Sequence, residues 1–165
     1  MQLDVLEGDI TKLEVDAIVN AANCSLLGGG GVDGAIHRAA GPELLKACRE
    51  FHGCPTGEAR ITPGFRLKAR YVIHTPGPIW HGGRDEEEHL LWSCYTNSLR
   101  LAFENGCHTV AFPCISTGVY GYPKREAAQI AISAVRQWKK DFPLKVIFCC
   151  FSAEDAELYR SLLSV

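Results

Sequence analysis

The feature that most restricts what this chain can fold into is an alternation. Short apolar or β-branched runs bounded by turn residues give way to longer stretches whose apolar residues recur at helical spacing. The runs lie at Gln2–Glu7, Asp16–Asn20, Arg60–Thr62, Tyr71–Thr75, Thr109–Pro113 and Lys145–Phe151. Between them Leu91, Tyr95, Ser98 and Ala102 keep to one helical face, as do Ala127, Ala131, Ala134, Val135 and Trp138, and Leu158/Tyr159 with Leu162/Leu163 mark a last helix. Pro123 suits a first helical turn, and the charge run Arg84 to Glu88 sits where a helix begins. Strands alternating with helices predict an α/β fold with helices on both faces of one sheet. No helical pattern separates Gln2–Glu7 from Asp16–Asn20, so the sheet is expected to be mixed.

A chain of 165 residues suits a single domain with a self-sufficient core. With 17 Lys and Arg against 19 Asp and Glu, it lacks the basic excess of a duplex-DNA or acidic-membrane binder. The N-terminus has no basic segment ahead of an apolar one, and the longest apolar run, Val146 to Phe151, is far too short to cross a bilayer. A cytoplasmic monomer with reduced thiols is expected from this, despite eight cysteines. The tightest metal-like cluster, Cys48, His52 and Cys54, has no CxxC beside it, so no metal is expected.

Two strand-to-helix turns carry the chemical signal. The first, Asn20 to Gly34, contains four consecutive glycines, Gly28 to Gly31. Such a run costs chain entropy and is accepted where backbone must approach a ligand, because bare N–H groups ahead of a helix form a nest for anionic oxygens. The second, Cys114 to Tyr122, follows the Thr109–Pro113 strand. In open α/β sheets, ligands lie beyond the carboxyl ends of strands, where two such turns can converge. Neither turn holds a Lys or Arg, and no Walker sequence exists, so a diphosphate held by neutral amides fits better than a triphosphate with magnesium. Gly29, Gly31 and Gly34 match the dinucleotide-binding spacing formally, but they begin too far past their strand and lack the acidic partner downstream.

Gly8-Asp9-Ile10-Thr11, Asn20-Ala21-Ala22-Asn23, Gly28 to Gly41, Val72-Ile73-His74-Thr75 and Ile115 to Pro123, taken together and in order, make the chain resemble a macrodomain of the MacroD type from end to end. The resemblance implies a three-layer α/β/α sandwich around a six-stranded mixed sheet, and ADP-ribose as ligand. It places Asp9 on the adenine amino group with the Ile10 backbone nearby, and Phe151 stacked on the base. It assigns the diphosphate to Gly30, Gly31 and Val32 on one side and to Ser116, Thr117, Gly118, Val119 and Tyr120 on the other, with Tyr120 covering the distal ribose. Asn20 and Asn23 then bond ribose hydroxyls, Asp33 is the catalytic group, and Asn23 and His37 support it. Read without the family, Asp9 is an ordinary turn former, Phe151 a core residue, and Asp33 the N-cap of the helix that starts at Gly34.

The implied activity is hydrolysis of esters on the distal ribose, in O-acetyl-ADP-ribose or in mono-ADP-ribosylated Asp or Glu of proteins. Asp33 then serves as general base or orients the water, with no metal and no cofactor. The alternative is a non-catalytic reader of ADP-ribose; an RNA-binding role gets little support from the acidic balance. Cys24, Phe65, Pro76, Cys114 and Ser152 depart from the family pattern. Ser152 with Asp155 is expected to cap the last helix, and Cys114 to be a packing residue.

Overall fold

The computed structural model describes residues 1–164. Six strands form one sheet: β1 (Gln2–Glu7), β2 (Ala17–Ala22), β3 (Arg60–Pro63), β4 (Tyr71–Pro76), β5 (Thr109–Phe112) and β6 (Lys145–Cys150), in the order β1-β6-β5-β2-β4-β3. Five α-helices cover it: α1 (Gly31–Ala40), α2 (Pro42–Arg49), α3 (Glu87–Glu104), α4 (Lys124–Arg136) and α5 (Ala153–Leu163). This is the expected α/β/α sandwich with a six-stranded mixed sheet.

The reason the sheet is mixed differs from the one anticipated. β1 and β2 are not neighbours; β6 and β5 lie between them, and a short 3-10 helix, Ile10–Lys12, follows β1. The antiparallel member is β3, which pairs with β4 so that Thr62 lies opposite Val72. All other neighbouring pairs are parallel.

Each face of the sheet packs its own core. Tyr95, Leu99, Phe112, Phe148 and Tyr159 fill the side covered by α3, α4 and α5, with Tyr95 and Phe112 ring centres 4.9 Å apart. Ile18, Ile36, Leu44 and Val72 fill the side covered by α1 and α2. The strand period of two explains why adjacent Cys149 and Cys150 join opposite cores.

Helix ends show where local chemistry decides. Ser152 Oγ accepts from Asp155 N at 3.2 Å and caps α5, as anticipated. Pro123 is the N-cap of α4 rather than part of its first turn, and Trp138 lies past the end of α4, its Nε1 donating to Phe142 O at 2.9 Å. At the start of α3, burial opposes ionisation of Glu87, but backbone N–H groups of His81, Asp85 and Gly83 outweigh it and hold the carboxyl at about 2. No helix among the described residues is long and apolar enough to cross a membrane.

Candidate functional site

A cleft of about 810 Å³ opens along the carboxyl ends of β1, β6, β5 and β2. These strand ends deliver its walls in order: Asp9 and Ile10 after β1, Phe151 after β6, Cys114 and Ser116 to Tyr120 after β5, and Asn23 with Gly29 to Asp33 after β2. Neighbouring strands lie ~4.8 Å apart, so β1 and β2 ends are about 14 Å apart, room for an elongated ligand laid across the edge.

At the β1 end, Asp9 caps the 3-10 helix: its Oδ1 accepts from Thr11 N at 3.0 Å and Thr11 Oγ1 at 2.7 Å. Those bonds hold its carboxyl below the ordinary range and leave Oδ2 unengaged among the described residues. The turn role is therefore real, and the carboxylate still faces the cleft. Phe151 is 91% exposed on the rim, which rules out the core-filling alternative.

The β5 loop presents a row of donors. Among the described residues the N–H groups of Ser116, Thr117, Gly118, Val119 and Tyr120 find no backbone acceptor, whereas Gly121 N and Tyr122 N are used to close the loop. Ser116 sits at φ +68°, and its Oγ is buried without a partner. Thr117 Oγ1 is spent on Cys114 O at 3.1 Å. The first N–H groups of α1 face the same cleft, lacking helical acceptors by geometry. Two sets of bare amides therefore converge on one space, a site for anionic oxygens.

The glycine run is tight for a reason. A Cβ at Gly29 would lie 3.2 Å from Asp33 Oδ2 and 3.3 Å from Asn23 Nδ2, while one at Gly30 would meet open space. Gly31 begins α1 at φ +58°, which glycine adopts without strain. The helix thus starts three residues earlier than Gly34, and the N-cap is Gly30. Asp33 does not cap the helix: it lies within the first turn, 4% exposed, its Oδ1 accepting from Asn20 Nδ2 at 2.8 Å.

Two expected ligand contacts, Asn20 and Asn23, are placed differently, while His37 stands beside Asp33 as a supporting residue should. Asn20 is fully buried on β2 beneath the cleft, and its amide bonds Asp33 rather than facing a ligand. Asn23 lines the cleft, but its Nδ2 donates to Gly28 O at 2.9 Å and its Oδ1 accepts from Ser25 Oγ at 2.6 Å, so the amide folds its own loop. His37 stands behind Asp33, Nε2 3.4 Å from Oδ1, and opens onto a second recess with Arg38 and Arg66 instead of the main cleft.

Sequence reading also missed wall residues. Lys124 and Arg38 line the cleft, correcting the expectation of a site without nearby cations, and Lys124 Nζ pairs with Asp155 Oδ1 at 3.1 Å. Lys124 lies just past the Cys114–Tyr122 turn, at the first position of α4, where a strand-to-helix turn places a side chain on the cleft. Cys114, expected to be a packing residue, also lines the cleft wall, its sulfur 3.9 Å from that of the buried Cys150 behind it. The hydrogen bond they share holds Cys114 below the ordinary thiol range against the effect of burial, and pushes Cys150 above it.

Comparison with known proteins accords with this geometry. The Macro domain family model matches residues 19–131. A macro domain-containing protein of Chlorobaculum tepidum is 63% identical over 98% of this chain and 95% of its own length. An O-acetyl-ADP-ribose deacetylase of Enterobacter cloacae is 57% identical over 99% of this chain and 94% of its own. A mutant of the Oceanobacillus iheyensis macrodomain solved with ADPR superposes with a TM-score of 0.94 at 50% identity, covering 98% of this chain and 91% of that one. The cleft, its two amide-bearing loops and these matches lead to one classification: the chain belongs to the macro domain family.

Proposed function

We propose that the cleft binds ADP-ribose and that the chain hydrolyses esters of its distal ribose, in O-acetyl-ADP-ribose and in proteins mono-ADP-ribosylated on Asp or Glu. The observation that carries this is Asp33: its carboxylate stands on the cleft wall beside the glycine run, Oδ1 held by Asn20 and Oδ2 without a donor among the described residues. The relatives named for deacetylase activity and solved with ADPR support it.

The ligand's direction follows from the strand order. Phe151 and Asp9 lie at the β1 and β6 end, where an aromatic face and an acceptor-only carboxylate suit a nucleobase with an amino group. Ile10 lines the wall beside them. Midway, the N–H groups of Ser116 to Tyr120 and of Gly31 and Val32 take the diphosphate, the charge of Lys124 being offset by its pair with Asp155 on the same wall. The distal ribose then reaches Asn23, Gly30 and Asp33, with Tyr120 over it.

Hydrolysis consumes one water, breaks the acyl–oxygen bond to the ribose and yields ADP-ribose, a carboxylate and a proton, the departing ribose oxygen taking up a proton drawn from the water. Asp33 Oδ2 takes a proton from the attacking water, or orients it, a contribution of roughly 10²–10⁴-fold. We further propose a cytoplasmic setting, in which the eight cysteines stay reduced.

The test compares wild type with Asp33→Ala for ADP-ribose affinity by calorimetry and for release of ADP-ribose from an auto-modified protein. Retained affinity with turnover reduced about 10²–10⁴-fold supports the hydrolase. A wild type that binds but releases nothing makes the chain a reader of ADP-ribose instead.

A further inference from the structure

Behind Asp33 runs a line of fully or nearly fully buried polar groups that the cleft never touches. Asn20 on β2 and His74 on β4 are register partners on adjacent parallel strands, so their side chains emerge together toward α1. Asn20 Nδ2 lies 2.8 Å from Asp33 Oδ1 and 3.2 Å from His74 Nδ1, and His74 Nε2 lies 3.0 Å from Thr62 Oγ1 on β3. Exposure falls to 0% for Asn20 and His74 and to 3% for Thr62.

The proton positions along this line follow by elimination. A carboxylate only accepts, so the edge of Asn20 facing Asp33 is its NH₂ group. That same nitrogen faces His74 Nδ1, which must therefore be the unprotonated ring nitrogen. The ring proton then sits on Nε2, which faces Thr62 Oγ1 at 3.0 Å and, farther off, Cys48 Sγ at 3.7 Å, and the nearer hydroxyl oxygen accepts it. Burial, with help from the charge of His37, keeps this imidazole neutral by lowering its value to about 3. Both amide protons of Asn20 are consumed, one by Asp33 and one by His74, while its Oδ1 remains buried without a partner among the described residues. An amide that accepts an unpaired oxygen has been oriented by its nitrogen, and the ring is what fixes the second of its two protons.

We infer that His74 is a positioning residue for the proposed hydrolysis: as the Nε2–H tautomer anchored on Thr62, it locks the Asn20 amide, which in turn fixes the Asp33 carboxylate with Oδ2 left toward the cleft. The inference rests on the reading of Asp33 as the group that handles water. His74 touches no ligand; it acts through Asn20, and only the orientation of Asp33 depends on it. A carboxylate displaced by about 1 Å loses on the order of 100-fold in rate, while the diphosphate loops and the Phe151 rim, which His74 does not contact, keep their grip.

Three variants and one spectrum test this. His74→Leu removes the acceptor facing Asn20; His74→Asn returns an acceptor oxygen near the Nδ1 position; Thr62→Val removes the nearer and stronger acceptor of Nε2–H and leaves only the weak one, Cys48 Sγ. With O-acetyl-ADP-ribose as substrate, His74→Leu is expected to lower kcat roughly 10-fold or more while KM and the ADP-ribose Kd stay within about 3-fold, and His74→Asn to recover part of the loss. Unchanged kcat in folded His74→Leu, a loss confined to KM and Kd, or no recovery in His74→Asn overturns the inference, since a merely structural histidine moves melting temperature alone. Should His74→Leu not fold, the imidazole ¹⁵N spectrum of wild type and the kcat of Thr62→Val decide. A neutral ring protonated on Nε2 with reduced kcat in Thr62→Val supports the relay; a ring protonated on Nδ1, or unchanged kcat, overturns it. Wild type without turnover sinks the hydrolase reading itself, whereas wild-type turnover with unaffected variants sinks only the role given to His74.

Discussion

Gly77, just past β4, packs directly beneath Ser116: a Cβ at Gly77 would overlap Ser116 Oγ and come within 2.6 Å of Ile115 Cγ2. Ser116 itself sits at φ +68°, so the donor loop after β5 holds an unusual backbone shape while resting on a residue with no side chain. Gly77→Ala is therefore expected to shift the loop, destabilise the protein by about 1–3 kcal/mol through overpacking, and weaken ADP-ribose roughly 10-fold. Calorimetric titration beside a melting curve checks it; unchanged affinity would show that the loop tolerates the displacement.

Phe151 offers the opposite case, a large aromatic with almost nothing to lose on the protein side. At 91% exposure its truncation leaves the core intact, so Phe151→Ala is expected to change stability by no more than ~0.5 kcal/mol. The same change removes a stacking face and should weaken ADP-ribose by about 1–3 kcal/mol. The comparison that isolates stacking is the affinity for ribose 5-phosphate, which lacks the base and should be untouched.

Glu87 gives a pH signature. Its folded value, about 2, lies below the ordinary 4.5, so its contribution to stability is fully present above 4.5 and is lost as pH falls toward 2. Glu87→Gln, which cannot offer a charged acceptor to His81 N, Gly83 N and Asp85 N, should melt lower than wild type at pH 7. The gap between the two melting curves should close as pH falls from 4.5 to 2, and a constant gap would refute the assignment.

Cys114 should be chemically distinct among the thiols. It lines the cleft and its ionisation is eased by the bond with Cys150, whereas Cys48, Cys54, Cys94, Cys107 and Cys149 are all pushed up by burial. Alkylation by iodoacetamide, followed by peptide mass spectrometry, is expected to label Cys114 ahead of these five and to slow when ADP-ribose is added. Equal labelling with and without the nucleotide would place the ligand away from the β5 wall.

Much of this was legible in the chain because apolar periodicity and turn chemistry are local. The Gln2–Glu7 strand agrees with the structure residue for residue, and the Lys145–Phe151 run ends one residue late, at the point where the chain turns Phe151 outward. The glycine run and the Cys114–Tyr122 turn announced a shared site because both are strand-to-helix turns on strands that prove adjacent. What stayed hidden depends on strand order. Nothing near Asn20 in sequence says that His74 will be its neighbour, and that pairing, with Asp33 above it, turns an apparent ribose contact into a buried support. Likewise Asp33 reads as a cap where the helical pattern is taken to begin at Gly34, whereas Gly31, at φ +58°, carries the bend into the helix two residues before Asp33.

The two donor loops leave the sheet from β2 and β5, which pair at Ala17 with Val110 and Ile18 with Ala111 in the centre of the molecule. A guest bridging both loops would therefore act as a clasp across the middle of the sheet, and the heat needed to pull the sheet apart becomes a gauge of occupancy. At a concentration one hundred times Kd such bracing amounts to about 2.7 kcal/mol, enough for a simple dye-based melt to rank candidate nucleotides before any turnover is measured.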